Sequence, residues 1–239
     1  MWGLTWRVAA SRRRLFIWNV LVPVLLLLPV AFSRAAAPHR AAVVSVFVVL
    51  FGTFGSCIPL VRDRARGWNQ KVWLTGYGSR PWLTERIAAA TTLDLAELTP
   101  ALLLSFLGAG LGSATGAERF VSALPAVALA LLAANLLGAL VAAFVASIAE
   151  ATLVCGATAL YALHFSGVFR SADPDSWVWH VERAAPFRPL VTMLREALSG
   201  GTAGQAPDNW VGPLIATAAL ALVTLSVAAR LARAVPHDV

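Results

Sequence analysis

Residues 120–169 form a run of 50 residues with a single charged side chain, Glu150. As one helix the run would be ~75 Å long, against a hydrocarbon layer of ~30 Å. It therefore predicts two membrane spans, 121–144 and 151–169, with Ser147 and Glu150 marking the turn between them. The rest of the chain reads the same way. Hydrophobic residues make up 59% of it and charged residues 13%, against ~25% charged in a soluble domain. That is too little polar surface to cover a soluble globule. The apolar runs are continuous, unlike the ~10-residue segments of alternating polarity that build a transmembrane β-barrel. The expected fold class is all-α: one polytopic membrane domain over residues 1–239, with six transmembrane helices near 15–32, 41–61, 88–111, 121–144, 151–169 and 210–231.

Residues 62–86 interrupt this pattern. They hold eight of the 31 charged residues, six basic and two acidic, between apolar flanks that are each long enough to span. The stretch is expected to be a loop of ~25 residues on one membrane face, since a span takes about 20 residues. With six spans both termini share a face. If that face is cytoplasmic, it carries 12 basic residues, and seven lie outside, four of them in the long 170–209 segment. Basic residues collect inside, and long loops count for little in that rule. Termini and central loop are therefore expected in the cytoplasm. Eight of the nine tryptophans lie at or beyond span ends, where aromatic belts form; Trp18 is the one inside a run. The net charge of +7 is then a topology signal, and no nucleic-acid partner is expected.

The first run also has the layout of a secretory signal, with basic residues before it and Ala35-Ala36-Ala37 after it. It is longer than a usual signal core and more spans follow, so it reads as an uncleaved span. Residues 1–14, with Trp2 and Trp6, are expected to form a short interfacial helix. Residues 183–198 are expected to form short helices at or dipping into the interface. High Arg and Ala with one lysine points to a GC-rich bacterial source, hence the inner membrane.

Little in the spans carries chemistry. Gly108-x-Gly110-x-Gly112-Ser113 follows a span and has no lysine after it, so it is not a phosphate loop; glycines in such a place serve close helix packing and a turn. The sole lysine, Lys71, has no glycine loop. His164 and Ser166 stand at i and i+2 on a helix, facing different ways, which does not suit a nucleophile and its base. Cys57 and Cys155 read as small buried hydrophobes. Asp94 and Glu97 form the sharper pair. Their i, i+3 spacing puts both on one helix face. A carboxylate at mid-membrane costs about 2.5–3.5 kcal/mol, so such acids face a cavity or a partner. They are candidates for a transport pathway if deep, and interfacial acids if the span begins near Leu98. The two halves of the chain do not superpose by pattern, which argues against an inverted-repeat carrier.

Two regions carry a resemblance. In the central stretch Asp63-Arg64 is followed by Arg66-Gly67, then Leu74-Thr75, then Arg86. Before the last run come Ser166-Gly167-Val168-Phe169, Pro174, Trp177, Pro186 and Arg195. In this order, on a six-span chain of this size, they resemble the membrane subunit of an ABC transporter of the ABC-2 type, over nearly the whole length. The pattern departs at Gly76, where proline is usual in that family.

The resemblance implies a cytoplasmic coupling loop and short re-entrant extracellular helices before the last span. It implies a second permease subunit, the same or related, and two copies of an ABC ATPase that bind the ATP and Mg. This chain itself would hold no cofactor, sit among membrane lipid and serve export. The ATPase-coupling residues would be Asp63, Arg64, Arg66, Gly67, Trp68, Lys71, Trp73, Leu74 and Thr75. Trp68, Trp73 and Leu74 would be the apolar anchors of a short coupling helix, and the turn at Glu150 a second contact. The competing readings are a membrane-embedded enzyme or assembly factor, and an ion-coupled carrier using Asp94 and Glu97.

Overall fold

The computed structural model describes residues 13–33, 36–108, 114–169, 175–199 and 209–232, with single positions at 3, 6, 7, 11 and 173. Most of the expected interfacial helix of residues 1–14, the Gly110-x-Gly112-Ser113 segment, Pro174 and Gly200-Gly201 lie outside the described residues. Among the described residues every element is a helix: α1 (Arg13–Ala31), α2 (Ala37–Ala65), α3 (Trp68–Leu74), α4 (Ser79–Gly108), α5 (Ala114–Ala142), α6 (Ile148–Phe165), α7 (Trp177–Ala184), α8 (Arg188–Ser199), α9 (Val211–Ser226) and α10 (Ala228–Ala232). By length and composition α2, α4, α5 and α6 can cross a membrane, and Phe16–Ala31 and Val211–Ser226 are shorter apolar helices.

The central stretch is more helical than a loop. Helix α2 runs on to Ala65 and α4 starts at Ser79, so Arg62, Asp63 and Arg64 ride the last turn of one helix, and Arg80, Glu85 and Arg86 the first turns of the other. Charge does not end a helix. Arginine is a good helix former, and cations are favoured at a helix C-terminus by the backbone dipole. Only residues 66–78 separate the two long helices, and α3 occupies their middle.

Helices α2 and α5 form the central pair, with α4 against both, α6 on α2, α9 on α5, and α1 on α4. Helix α8 packs on α2 and α5 through Leu190, Val191, Met193 and Leu194. In lipid there is little hydrophobic drive between helices, so close backbone approach supplies the packing energy. Glycines set that approach. A Cβ at Gly52 would stand 2.6 Å from the Ala134 Cβ and 3.0 Å from the Leu131 carbonyl. A Cβ at Gly138 would overlap the Thr53 carbonyl oxygen.

Several hydroxyls within the apolar helices are satisfied by their own backbone. Ser45 donates to the Ala41 carbonyl (2.7 Å), Thr53 to Val49 (2.6 Å) and Thr217 to Pro213 (2.8 Å), each one turn back. Thr224 shares its donor between Leu220 in its own helix and Leu136 across the α5 boundary. Such back-bonding removes the cost of an unpaired polar group in hydrocarbon.

The helix order makes two ends. At one lie the C-terminus of α2, all of α3, the start of α4, the α5–α6 turn and α10. At the other, α6 closes in a Schellman turn: Gly167 has φ 74°, and Val168 N–H donates to the Leu163 carbonyl at 3.3 Å. There Arg195 of α8 donates to the Gly167 carbonyl at 3.3 Å, tying α8 to the end of α6.

Candidate functional site

Two features stand out: the charged end around α3, and a cavity inside the helical layer beside it.

At the charged end, Gly67 ends α2 with φ 65°, a left-handed conformation that glycine adopts without steric cost. Its N–H donates to the Arg64 carbonyl at 3.0 Å, and its own carbonyl accepts from Lys71 N–H at 3.3 Å. One glycine thus joins the end of α2 to the start of α3. Helix α3 has two faces. Asn69 and Val72 are buried, while Trp68, Lys71, Leu74 and Thr75 point outward, with Trp68 43% and Leu74 87% exposed. The Trp73 side chain lies outside the described residues. A groove lined by Trp68, Lys71, Thr75, Tyr77 and Glu85 runs along this outer face. Tyr77 donates its hydroxyl to Glu85, which holds the phenol above its ordinary pKa.

The inner side of the same segment is tied to four other elements. Arg64, which the sequence groups with the docking cations, is 7% exposed and turned inward. Its guanidinium donates to the carbonyls of Ala142 (3.0 Å) and Val145, at the end of α5 and in the α5–α6 turn. Those carbonyls lack helical partners, so a cation there both bonds them and matches the dipole. Asp63 forms an ion pair with Arg86 at the start of α4. Asn69 donates to the Leu231 carbonyl of α10 at 2.8 Å. Arg66 is exposed. In the α5–α6 turn, Ser147 accepts from Glu150 N–H (3.1 Å) and Glu150 accepts from Ala146 N–H (2.8 Å), a reciprocal cap that fixes where α6 starts.

The cavity lies between α1, α2 and α4 and holds about 550 Å³. Asp94 and Glu97 line it, both buried, half-way along α4 and not in its first turns. The α4 start nine residues ahead of the expected 88 is what carries them inward. Asn135 of α5 donates to Asp94 Oδ2 at 2.8 Å, and its own carbonyl oxygen accepts from the Ser56 hydroxyl of α2. Asn19 of α1 donates to both oxygens of Glu97, at 3.2 and 3.1 Å. A Cβ at Gly55 would stand 2.5 Å from Asp94 Oδ2, so only glycine leaves room for that carboxylate. Arg62 and Arg86 line the end of the cavity nearest α3. Asn19, Asn135 and Ser56 were missed by sequence reasoning. Their signal was available: a lone amide in an apolar run needs a partner in lipid as much as a lone acid does.

The weaker candidates are ordinary side chains. Ser166 donates back to the Ala162 carbonyl of its own helix, and His164 stacks edge-on against Phe165. Cys57 and Cys155 are both fully buried and face each other between α2 and α6, as small buried side chains do. No group of three or more metal-capable side chains occurs among the described residues.

No curated protein matches the chain. A family model described as ABC-2 type transporter matches residues 1–198, which takes in the cavity, the charged end, α7 and nearly all of α8. The chain is a multi-pass membrane protein that belongs to the ABC-2 type transporter family, and it is a membrane subunit of an ABC transporter.

Proposed function

We propose that this chain is the permease subunit of an ABC exporter in the bacterial inner membrane. It spans six times with both termini cytoplasmic. It pairs with a second permease subunit, the same or related, and is driven by two copies of an ABC ATPase that bind ATP and Mg. The observation that carries the reading is the two-faced α3: Trp68, Lys71 and Leu74 outward, with the inner side of the segment tied to four other elements. An apolar pair as exposed as Trp68 and Leu74, amid Arg66, Lys71 and Arg80, suits a partner protein. The ATPase closes on ATP and presses α3. The Asp63–Arg86 pair, the Arg64 bonds and the Asn69–Leu231 bond carry the displacement to α4, the α5–α6 turn and α10. The spans tilt and the pathway changes side. Helices α7 and α8 serve as the re-entrant elements at the outer face. The second subunit meets the open face of α6, where Leu153, Leu160 and Tyr161 are exposed, together with the half-buried face of α2. Asp94 and Glu97 belong to the pathway.

Lys71 is the only lysine of the 239 residues. An amine-reactive crosslinker therefore labels Lys71 and the amino terminus alone. In membranes that contain the partner ATPase, Lys71 crosslinks to it, and the chain purified alone does not hydrolyse ATP. Absence of that crosslink, or transport that follows a proton gradient and ignores ATP depletion, overturns the reading.

A further inference from the structure

The cavity between α1, α2 and α4 is built unlike a gap that lipid tails fill. Its volume of about 550 Å³ lies within the 300–1,000 Å³ of small-molecule sites. Its walls carry three aromatic rings, Phe16, Phe51 and Phe54, and two buried carboxylates, Asp94 and Glu97. Among the described residues, the charges on its lining do not cancel. Arg86 is matched by Asp63, and one guanidinium, Arg62, then stands against two carboxylates. Arg86, Ala90, Asp94 and Glu97 fall on one stripe of α4, and eight residues separate Arg86 from Asp94, ~12 Å along the axis. The cationic end and the acidic interior are thus two turns apart. The donors given to the acids, Asn19 and Asn135, are neutral amides. They fix the carboxylates in place and bring no positive charge to them. A buried acid in an apolar surround either takes up a proton or meets a counter-charge.

We infer that this cavity is a binding site, within a single subunit, for a cationic amphiphile: an organic cation with an apolar body, its charge at Asp94 and Glu97 and its body against the phenyl rings. Aromatic faces add attraction to a desolvated cation, and the aliphatic wall from Leu50, Ile58 and Leu93 takes the apolar part. Access from the lipid suits such a ligand, which partitions into the bilayer before it binds. The inference rests on the reading of this chain as a transport subunit and gives that reading a substrate class.

The test is equilibrium binding of radiolabelled tetraphenylphosphonium to the full chain in nanodiscs, without the ATPase, with empty nanodiscs subtracted. Tetraphenylborate, of the same shape and opposite charge, is the control. The cation binds, and Asp94→Asn and Glu97→Gln each weaken it by at least about tenfold, about 1.4 kcal/mol. The anion binds at least about tenfold more weakly than the cation. Ala90→Phe, which fills the cavity and keeps both acids, also abolishes binding, and it decides the location if the acid variants do not fold. Equal binding of cation and anion, binding indifferent to the acids or to Ala90→Phe, or no binding above empty nanodiscs each overturns the inference. None of these outcomes touches the Lys71 crosslink, so the site can fail while the transport role stands.

Discussion

Arg64 and Ala142 meet across two helices: the guanidinium at the end of α2 donates to the last carbonyl of α5 at 3.0 Å. A second bond from the same side chain reaches the Val145 carbonyl. A residue that sequence places among surface cations is therefore a staple between α2 and the α5–α6 turn. Arg66, two residues on, is exposed. The two arginines, alike in sequence, thus differ in what they touch.

Charge reversal at Arg64 and at Arg66 accordingly has different outcomes. Arg64→Glu leaves two buried carbonyls without a donor and adds a buried anion beside them. A loss of ~3 kcal/mol or more is expected, because breaking a buried charged pairing costs 3–5 kcal/mol. It is read as a lower thermal midpoint in nanodiscs. Arg66→Glu leaves the midpoint unchanged and lowers the amount of ATPase that co-purifies. Equal midpoints for both variants would remove the staple from the account.

Gly67 has φ 65°. Gly67→Val forces a β-branched residue into a left-handed conformation, at ~1–3 kcal/mol. Gly67→Asn, which tolerates that region, is close to neutral. Hydrogen exchange over α3 should rise in the first variant and stay level in the second. Matching exchange in both would show that the turn does not depend on the glycine.

The all-helical, membrane-spanning character of the chain was readable because apolar length is a one-dimensional property, but helix length was not, since α2 and α4 run on through their charged ends. The turn at Ser147 and Glu150 was readable too, since a cap sequence and a lone charge coincide there. The direction of a side chain was not readable. Arg62, Arg64 and Arg66 are alike as residues, and only the helical register of α2, which runs to Ala65, puts Arg64 under the α5–α6 turn. The depth of Asp94 and Glu97 hung on where α4 begins, and the charged residues of its first turns concealed a start at Ser79. Asn19 and Asn135 lie 78 and 41 residues from the acids they hold, a separation no local pattern spans.

The α2–α5 crossing should be the least forgiving place in the fold. Gly138→Ala drives a methyl into the Thr53 carbonyl, and overpacking of this kind costs ~1–3 kcal/mol. Gly156→Ala meets only the Phe54 ring at an ordinary 3.6 Å and gains helix propensity of up to about 1 kcal/mol. Thermal unfolding of the two variants side by side should move in opposite directions. A neutral Gly138→Ala would mean that the helices separate there at little cost.

The outer face of α3 gives the sharpest test of energy coupling. Trp68 and Leu74 are exposed, so their removal leaves the fold alone, as surface changes stay within about 0.5 kcal/mol. If an ATPase covers them, Trp68→Ala removes an aromatic anchor worth ~2 kcal/mol, some thirtyfold in affinity. Leu74→Asp places a charge in the same contact and weakens it further, whereas Leu74→Met keeps the apolar volume and should bind as the parent does. The measurement is the affinity of the ATPase for permease in nanodiscs, with thermal unfolding in parallel. Weaker binding at an unchanged midpoint identifies the face as the docking surface. Unchanged binding in both Trp68→Ala and Leu74→Asp would place the ATPase elsewhere on the charged end, with the α5–α6 turn at Glu150 the next surface to alter.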